Sequence, residues 1–427
     1  MAREYKDSGI EWIGQIPKEW KVIKLKHESQ FINGYAFDSN DFKLEGDVRV
    51  VRIGDIGLSI DWNNCIYVNN SAILLDAYKI CNGDILIAMS GATTGKCCLA
   101  TNIKEAYINQ RVGIIRSEKR KLVFFSLLAP YFKEYVNLNN AGSAQPNISS
   151  KAIGEFPLVM PKSLSEQQKI VDYLDKVCGE VDEMVALQET MIEELKAYKQ
   201  SIITEAVTKG LNPNVPMKNS GIDWIGEIPE HWDKDKIIRI FNLIGSGTTP
   251  SSSDNEAYEG KLNWIQSGDI NGGDLYESKN KISEKTLKKY SALTMYDAPF
   301  IIIAMYGASV GNISISHING CVNQACCVMS ETKQDFKYVF YAIKSAKDYL
   351  IYKAVGGGQP NISQSTLKQL WLPVPPLSEQ QSIVSYLDTK CSEIDSLTAI
   401  KQQKIAELKE YKKSVIYEYV TGKKEVV

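Results

Sequence analysis

The chain has 427 residues, 49 Lys and Arg against 51 Asp and Glu, a formal net charge of −2 and a pI near 6.1. This balance excludes a protein that holds nucleic acid by bulk positive charge, and the 44% hydrophobic and 23% charged content excludes wholesale disorder. At about 100–200 residues per domain, the length predicts two to four domains.

The first seven residues carry charges where a secretory signal needs an apolar core, so we expect a cytoplasmic protein. Nine cysteines without a Cys-x-x-Cys pair, and only three histidines, argue against a metal site and favour buried, reduced thiols. Residues 298–330 contain no charged side chain, but Gly307 and Gly311 interrupt them and Asn312-Ile-Ser-Ile-Ser316 alternates with period two. This pattern predicts a half-buried strand rather than a membrane helix.

The sequence is an internal repeat. Residues 6–20 recur as residues 218–232 with ten of fifteen positions identical, and residues 164–175 recur as 377–388 with ten of twelve identical. Shorter motifs recur between them at offsets of 212–216, namely Gly-Asp-Ile at 54 and 268, Ala-Met-x-Gly-Ala-x-x-Gly at 88 and 304, Asn-Gln at 109 and 323, and Gln-Pro-Asn-Ile-Ser at 145 and 359. The chain is therefore two tandem copies of one unit, which must fold alike.

In the first copy, residues 1–160 read as a mixed α/β globular domain. Short apolar runs at Ile85-Leu-Ile-Ala-Met, Tyr107-Ile and Val112-Gly-Ile-Ile predict strands between turn clusters, and a helix is predicted near residues 120–138. Residues 211–376 are the equivalent domain of the second copy.

Residues 161–210 and 377–427 change character and predict two long helices. Residues 164–209 contain no proline, Ser165 with Gln168 fits a capping box, and Gly210 with Pro213 predicts the end of the first helix. About 45 residues at about 1.5 Å each give a rod of roughly 65 Å. Apolar residues at 3-4 spacing predict a coiled-coil seam of Leu174, Val181, Met184, Leu195 and Ile202 in the first helix and Leu387, Ile394, Leu397, Leu408 and Val415 in the second.

Long exposed helices of this kind need a partner, and each helix is predicted to pair with its own repeat. An antiparallel pairing with a globular domain at each end closes the chain into a pseudo-twofold figure whose termini lie close together. Gln188 and Lys401 are matched polar breaks in the two seams, and either they set the register or they are solvated imperfections.

No catalytic motif is found. Ser90-Gly-Ala-Thr-Thr-Gly-Lys-Cys97 resembles a phosphate loop, but three residues separate its glycines where four are required, and Cys97 replaces the magnesium-binding hydroxyl. We therefore predict a strand end with a tight glycine turn, in which Thr93 and Lys96 are candidates to contact a DNA phosphate. We find no nuclease carboxylate cluster, no methyltransferase motif and no Ser-His-Asp arrangement, and we predict a non-catalytic chain.

Clusters of basic residues are the candidate binding surfaces, because Lys and Arg contact phosphates and base edges. Solvated surface faces are the alternative for each cluster. In the first domain the candidates are Lys21, Lys24, Lys26, Arg111, Arg116, Lys119, Arg120 and Lys121, and in the second Lys279, Lys281, Lys285, Lys288 and Lys289. Residues 57–82 and 271–296 differ between the copies, which predicts two sites of one kind that read different things.

The doubled motifs resemble one family. Gly-x-x-Gln-x-Asn-Ile-Ser followed by Pro-x-x-Leu-Ser-Glu-Gln-Gln-x-Ile-Val-x-Tyr-Leu, together with the Ser-Gly-Ile-Glu/Asp-Trp-Ile-Gly-x-Ile-Pro-x-x-Trp openings, is similar to the specificity subunit of type I restriction-modification systems over essentially the whole chain. The resemblance implies two target recognition domains, each reading one half of a bipartite, asymmetric DNA site. It also implies an antiparallel coiled coil that sets the gap between the halves and docks two methyltransferase subunits.

The same resemblance implies that ATP-dependent restriction subunits complete the endonuclease, and that S-adenosylmethionine, ATP and magnesium are used by the partner subunits and not by this chain. The pattern departs from exact repetition at one turn, where Tyr306 and Asn312 stand opposite Ser90 and Lys96. A phosphate contact by that turn is therefore not expected in the second domain. A coiled-coil scaffold that does not read DNA, and a self-sufficient DNA methyltransferase or nuclease, are the competing hypotheses.

Overall fold

The structure is a computed structural model that describes residues 3–69, 76–140, 146–251, 254–354 and 361–426. Its chain forms two compact units, unit 1 (Met1–Thr190 with Lys401–Val427) and unit 2 (Met191–Ile400). Each unit contains one globular part and one half of each long helix, so both helices contribute to both units. The structure confirms the predicted architecture of two tandem α/β domains with two long helices. The exact domain boundaries stay predictions.

The helices and strands follow the same order in the two copies, except that the second copy has three additional short elements, α5, β17 and α6. From the start of the chain to the end of the first long helix they are β1 Tyr5–Asp7, β2 Gln15–Pro17, β3 Lys21–Lys24, β4 Gln30–Asn33, β5 Val48–Val51, β6 Ile66–Val68, β7 Ile85–Ala88, β8 Cys97–Leu99, β9 Ala106–Ile108, β10 Val112–Arg116, α1 Arg120–Leu128, α2 Pro130–Asn139, α3 Ser150–Gly154, β11 Pro157–Met160 and α4 Leu164–Lys209. They continue with β12 Met217–Asn219, β13 Glu227–Pro229, β14 Asp233–Lys236, α5 Ile237–Ile240, β15 Phe241–Ser246, β16 Leu262–Ile265, β17 Asp274–Leu275, β18 Asn280–Ile282, α6 Glu284–Lys289, β19 Phe300–Ala304, β20 Ile313–Ser316, β21 Cys321–Val322, β22 Cys326–Thr332, α7 Phe336–Ser345, α8 Lys347–Lys353, α9 Gln364–Lys368, β23 Trp371–Val374 and α10 Leu377–Val420.

In unit 1 the main sheet is antiparallel with strand order β4-β10-β7-β8, and a second sheet has the order β6-β5-β9 with β5 and β9 parallel. The three strands predicted here, now β7, β9 and β10, are confirmed. The single helix predicted near residues 120–138 is instead two helices, because Pro130 has no amide hydrogen to continue α1 and begins α2.

In unit 2 the main sheet has the order β15-β22-β19-β20-β17, and a second sheet has the order β18-β16-β21. The strand predicted from Asn312-Ile-Ser-Ile-Ser316 is β20, but all four of its residues are buried rather than alternate ones. The reason is that β20 lies inside the sheet, between β19 and β17, and α7 packs against it. In the described residues, no helix is long and apolar enough to cross a membrane.

The long helices pair in antiparallel fashion inside each unit, as predicted. In unit 1, Tyr173 of α4 packs on Tyr419 of α10 with ring centroids 4.3 Å apart. Further along α4, Asp182 accepts a hydrogen bond at 2.7 Å from Lys412, which lies earlier in α10, so the two helices run in opposite directions. In unit 2 the equivalent pair joins Lys199 and Asp395 at 2.6 Å. The ammonium of Lys401 donates to Gln188 Oε1 at 3.3 Å in unit 1, so the matched polar breaks meet, and their effect on register stays a prediction.

The buried stripe of each helix differs from the predicted seam at one of the five predicted positions. Of the predicted residues, Leu174, Val181, Ile202, Leu387, Ile394, Leu408 and Val415 are buried and Leu195 packs against the unit 2 core, and their place in a coiled-coil seam stays a prediction. Met184 and Leu397 are each 48% exposed, so these two predictions are wrong. Their neighbours Val185 and Thr398 are partly buried instead, in stripes that continue through Cys178 and Lys199 in α4 and through Cys391 and Lys412 in α10. The prediction chose the seam through Met184 because that stripe is more hydrophobic in sequence than the stripe that contains Cys178 and Lys199.

The N-cap residue of helix α4 lies two residues earlier than predicted. The Ser163 carbonyl accepts from Gln167 N at 3.0 Å and its hydroxyl from Glu166 N at 3.4 Å, so Ser163 rather than Ser165 caps the helix. Ser-x-x-Glu and Ser-x-x-Gln overlap in this segment, and both read as capping boxes. The predicted stop is confirmed, since Gly210 follows the helix with φ +74°.

The two ends of the chain meet in unit 1, as predicted. The Tyr417 hydroxyl donates to the Trp12 carbonyl at 3.2 Å, and Lys423 Nζ donates to the Gln15 carbonyl at 2.6 Å. Placement of the two globular domains at opposite ends of the helices stays a prediction.

Several repeated motifs have structural roles. The indole of Trp20 donates to Glu166 at 3.1 Å and that of Trp232 donates to Glu379 at 3.0 Å, so each opening motif is tied to the first turn of its long helix. Both tryptophans are fully buried. The repeated Leu-Ser-Glu-Gln and Ile-Pro-x-x-Trp segments therefore fix how each globular part sits on its helix.

Candidate functional site

One end of the main sheet of unit 1 brings together three of the predicted site residues. Lys96 precedes β8 and Arg111 precedes β10, and both flank the end of β7, because Ala88 N donates to the Lys96 carbonyl and Met89 N to the Arg111 carbonyl, each at 2.9 Å. Thr93 lies in the turn between β7 and β8. We call residues 89–96 with 109–111 the unit 1 edge. Strands are spaced about 4.8 Å apart, so the backbones of Lys96 and Arg111 lie about 10 Å apart.

A glycine turn shapes this edge, as predicted. Gly91 and Gly95 have φ of +77° and +83°, which other residues rarely adopt, and a β-carbon on Gly95 would lie 3.0 Å from Val136. The repeated Pro-Asn-Ile segment closes the turn, since Gly91 N donates to the Pro146 carbonyl and Ile148 N to the Met89 carbonyl, both at 2.9 Å. Gln145 of that motif lies outside the described residues. The Thr93 hydroxyl is buried and has no partner in the described part of the chain.

Sequence reasoning missed Gln110, which is exposed on the same edge beside Arg111. Its signal was present, because Asn-Gln recurs at 323–324. Arg111 and Lys96 are both exposed, and neither makes an ion pair with any described residue. Among the described residues, the unit 1 edge is thus an exposed polar surface with two cations that no acidic side chain neutralises.

The remaining basic candidates of unit 1 lie elsewhere. Arg116 lies opposite Gln30 in the β10–β4 strand register, at the end of the sheet that is remote from the unit 1 edge. Most of these cations are held by acids: Lys24 and Lys26 by Glu155 at 2.5 Å, Arg116 by Asp84 at 2.7 Å, Lys119 by Glu28 at 2.6 Å, and Lys121 by Asp175. Lys21 and Arg120 make no ion pair with the described residues. Hydrogen bonds from Lys24 and Lys26 hold the pKa of Glu155 at about 2, so this cluster is charge-compensated at neutral pH.

The same edge in unit 2 has the same backbone and different side chains. Ala304 N donates to the Asn312 carbonyl at 2.9 Å and Met305 N to the Ala325 carbonyl at 2.7 Å, which matches unit 1 bond for bond. Asn312 therefore occupies the place of Lys96, and Ala325 that of Arg111. We call residues 305–312 with 323–325 the unit 2 edge.

The predicted lysines of unit 2 lie on β18 and α6. Lys285 and Lys289 are paired with Glu256 at 3.3 Å and Asp254 at 2.7 Å, while Lys279, Lys281 and Lys288 make no ion pair with the described residues. Asn280 of β18 lies opposite Trp264 of β16. The residue after Trp264 is Ile265, and its carbonyl accepts from Asn323 N at 3.1 Å. Lys279 is therefore at the end of β18 that is nearer to the unit 2 edge.

The chemistry available at these edges is hydrogen bonding and charge. No group of three or more His, Cys, Asp or Glu residues is placed to hold a metal ion in the ranges that the structure describes. Burial raises the pKa of the Cys65, Cys178 and Cys321 thiols to about 11, so these cysteines stay protonated and unreactive at neutral pH. Amides, hydroxyls and cations on rigid turns suit recognition of a polar, anionic surface.

Comparison with known proteins gives the class. The family model described as "Type I restriction modification DNA specificity domain" matches twice, over residues 17–197 and 229–410. The chain therefore belongs to the type I restriction-modification DNA specificity family, with two specificity domains in tandem, and it is a specificity subunit of that class.

The relatives agree with this assignment. The chain is 27% identical to a putative type I restriction enzyme MjaX specificity subunit of Methanocaldococcus jannaschii, over 96% of this chain and 95% of the relative. It is 22% identical to the type I restriction enzyme EcoBI specificity subunit of Escherichia coli, over 99% and 90%. A solved structure from work on complex assembly and conformational transition of the type I R-M system has the same fold, with a TM-score of 0.70 at 16% identity, over 95% of this chain and 99% of that one.

Proposed function

We propose that each unit reads one half of a bipartite, asymmetric double-stranded DNA site, and that the paired helices set the gap between the halves. The observation that carries this proposal is the contrast between the two edges: one backbone, repeated bond for bond, presents Lys96 and Arg111 in unit 1 but Asn312 and Ala325 in unit 2. Identical frames with different reading groups are what two unequal half-sites require.

In this account, the chain supplies recognition and its partners supply catalysis. Two methyltransferase subunits use S-adenosylmethionine, and restriction subunits use ATP and magnesium, while this chain holds none of these. We place the complex in the cytoplasm, in keeping with the nine free cysteines.

The outer faces of the helices support docking of the methyltransferase subunits. In unit 1, Met184, Leu187 and Tyr411 are 48%, 56% and 52% exposed. The equivalent residues in unit 2 are Leu397, Ile400 and Tyr198, at 48%, 61% and 59%. Each of these residues directly precedes a seam position. In an antiparallel pair such positions project from one side of both helices.

The other side of the pair is polar. It carries Asp182, Glu189 and Lys409 in unit 1 and Asp395 in unit 2, and the seam lysines Lys412 and Lys199 reach toward it to pair with Asp182 and Asp395. Exposed apolar residues grouped on one face mark an interaction surface, and its repetition fits one methyltransferase subunit on each unit.

Leu187→Asp and Ile400→Asp are expected to leave folding intact and to weaken methyltransferase binding. Both side chains are mostly exposed, so the free energy of unfolding should change by less than about 0.5 kcal/mol. Each charge would be desolvated against an apolar partner surface, and we expect at least a roughly 10-fold loss of affinity per site. Glu189→Ala, on the polar side, is the matched control. Isothermal titration with the methyltransferase subunit measures both sites, and unchanged binding by both Asp variants would remove this face from the interface.

Lys96→Ala is expected to reduce the salt dependence of DNA binding, whereas Lys119→Ala is not. Lys96 is exposed on the unit 1 edge and makes no ion pair with the residues that the structure describes. Removal of one phosphate-binding cation lowers the slope of log K against log salt by about 0.9. Lys119 is held by Glu28 at 2.6 Å, beyond the opposite end of the main sheet. Fluorescence anisotropy at several salt concentrations, with the subunit bound to its methyltransferase, gives both slopes. The reverse result would place the DNA on the other end of unit 1.

A further inference from the structure

Backbone and side-chain hydrogen bonds hold the Asn-Gln turn in both units. In unit 1, Asn109 N donates to the Val51 carbonyl at 3.0 Å, Val112 N donates to the Asn109 carbonyl at 2.8 Å, and Asn109 Oδ1 accepts from Gln110 N at 2.8 Å. These bonds tie the turn to the second sheet on one side and to β10 of the main sheet on the other. The turn therefore lies where the two sheets of the unit meet.

A glycine presses against this turn from a third side. A β-carbon on Gly34 would lie 2.0 Å from the Asn109 carbonyl oxygen, which no side chain can tolerate. In unit 2, a β-carbon on Gly247 would lie 1.7 Å from the Val322 carbonyl oxygen, one residue before Asn323. The close approach is thus repeated, and it fixes the position of the turn in both units.

The side chain that follows the asparagine points outward in both units. Gln110 and Gln324 are exposed. The Gln110 amide makes no hydrogen bond with the described residues, and Gln324 Oε1 accepts from the Thr249 hydroxyl, which orients that amide. Asn323 Oδ1 accepts from Ala325 N at 3.1 Å, so here too the asparagine shapes the turn rather than facing solvent. The backbone of the turn is fixed in both units, so a rigid element presents an exposed glutamine amide at the same place in each.

The next residue distinguishes the units. Arg111 is exposed and unpaired among the described residues, whereas Arg116, five residues later, forms an ion pair with Asp84 at 2.7 Å. Ala325 has no polar group at the corresponding place. Beside it, Asn312 Oδ1 accepts from Lys347 Nζ at 2.8 Å, so a neutral amide stands where unit 1 has the Lys96 cation.

We infer that the Asn-Gln turn is the base-reading element of both units, with Gln110 and Gln324 each contacting an adenine and Arg111 contacting a guanine in the half-site of unit 1 only. Gln forms paired hydrogen bonds with adenine N6 and N7, and Arg with guanine O6 and N7. Lys96 lies two strands away and contacts a phosphate, and this contact does not distinguish one base from another. This inference rests on the proposed function, because it names the bases that the proposed half-site readers contact.

The test is methylation by the complex of the full chain with its methyltransferase, on a library that varies each base of the site. In the Arg111→Ala complex, discrimination at one guanine position of one half-site should fall by about 5- to 150-fold, with the other half unchanged. Gln110→Ala and Gln324→Ala should each relax one adenine position in their own half. Lys96→Ala is the matched control and should slow methylation of all sequences alike.

Arg111→Lys separates reading from charge. It keeps the positive charge but loses the forked donor geometry, so the guanine position should relax while the salt slope of DNA binding is retained. If the wild-type complex methylates a bipartite site and the Arg111 and Gln variants leave every base preference unchanged, the inference is overturned and the proposed function stands. If the wild-type complex shows no sequence preference, both are overturned.

Discussion

Exchanging residues 1–160 for the corresponding domain of a relative is expected to change one half of the methylated sequence and to leave the other half and the gap unchanged. The whole unit 1 edge lies in this segment, including Lys96, Gln110 and Arg111, and none of the unit 2 edge does. The helices that we propose to set the gap are not altered. Single-molecule sequencing of methylated DNA from cells that carry the chimera reads both halves and the gap together.

The design of this chimera follows from the unit 1 core. Trp20 lies in one core with Ile170 and Leu174 of α4 and Val420 of α10, and its indole donates to Glu166. The donor domain should therefore keep the opening tryptophan, so that the graft rests on the same helix surface. A chimera that folds and changes both halves would contradict the assignment of one reader to each unit.

Leu174→Asp and Leu387→Asp are expected to destabilise the protein severely. Both leucines are fully buried, at the same position of the repeated helix, Leu174 in unit 1 and Leu387 in unit 2. An unpaired carboxylate would replace a side chain whose truncation alone costs about 2–5 kcal/mol, and the charge adds its own desolvation cost. For domains of this size, we expect the melting temperature to fall by about 10 °C or more.

Met184→Asp and Leu397→Asp are the matched controls for this prediction. They place the same charge on the same helices, but their side chains are 48% exposed, so the melting temperature should change by no more than about 2 °C. Differential scanning calorimetry compares the four variants. Equal losses at the buried and exposed positions would mean that the seam runs where hydrophobicity alone placed it, through Met184 and Leu397.

The repeat made most of the fold predictable from sequence. Helix α4 spans the proline-free stretch and ends at Lys209, directly before Gly210 as predicted, and β7, β9 and β10 follow from short apolar runs. The seam was harder, because Cys178 and Lys199 lie on it while the more apolar Met184 does not. A stripe of residues displaced by one position can be more hydrophobic than the stripe that is buried. Tertiary contacts decide which of the two packs.

The site was less predictable than the fold. Charge density drew attention to Lys24, Lys26 and Lys119, but their partners Glu155 and Glu28 are far away in sequence and become neighbours only after folding. Gln110 carries no charge, and only the hydrogen bonds around Asn109 show that its turn is rigid and exposed. Compensation by remote acids and pre-organisation by the backbone are both properties of the folded chain.

Methylome sequencing of cells that express this chain with its methyltransferase subunits tests the central claim most directly. Two similar frames with different edges, one cationic with Arg111 and one without, predict a single methylated motif made of two different half-sites separated by a gap of fixed length. A palindromic motif, a continuous motif without a gap, or methylation without sequence preference would contradict the account.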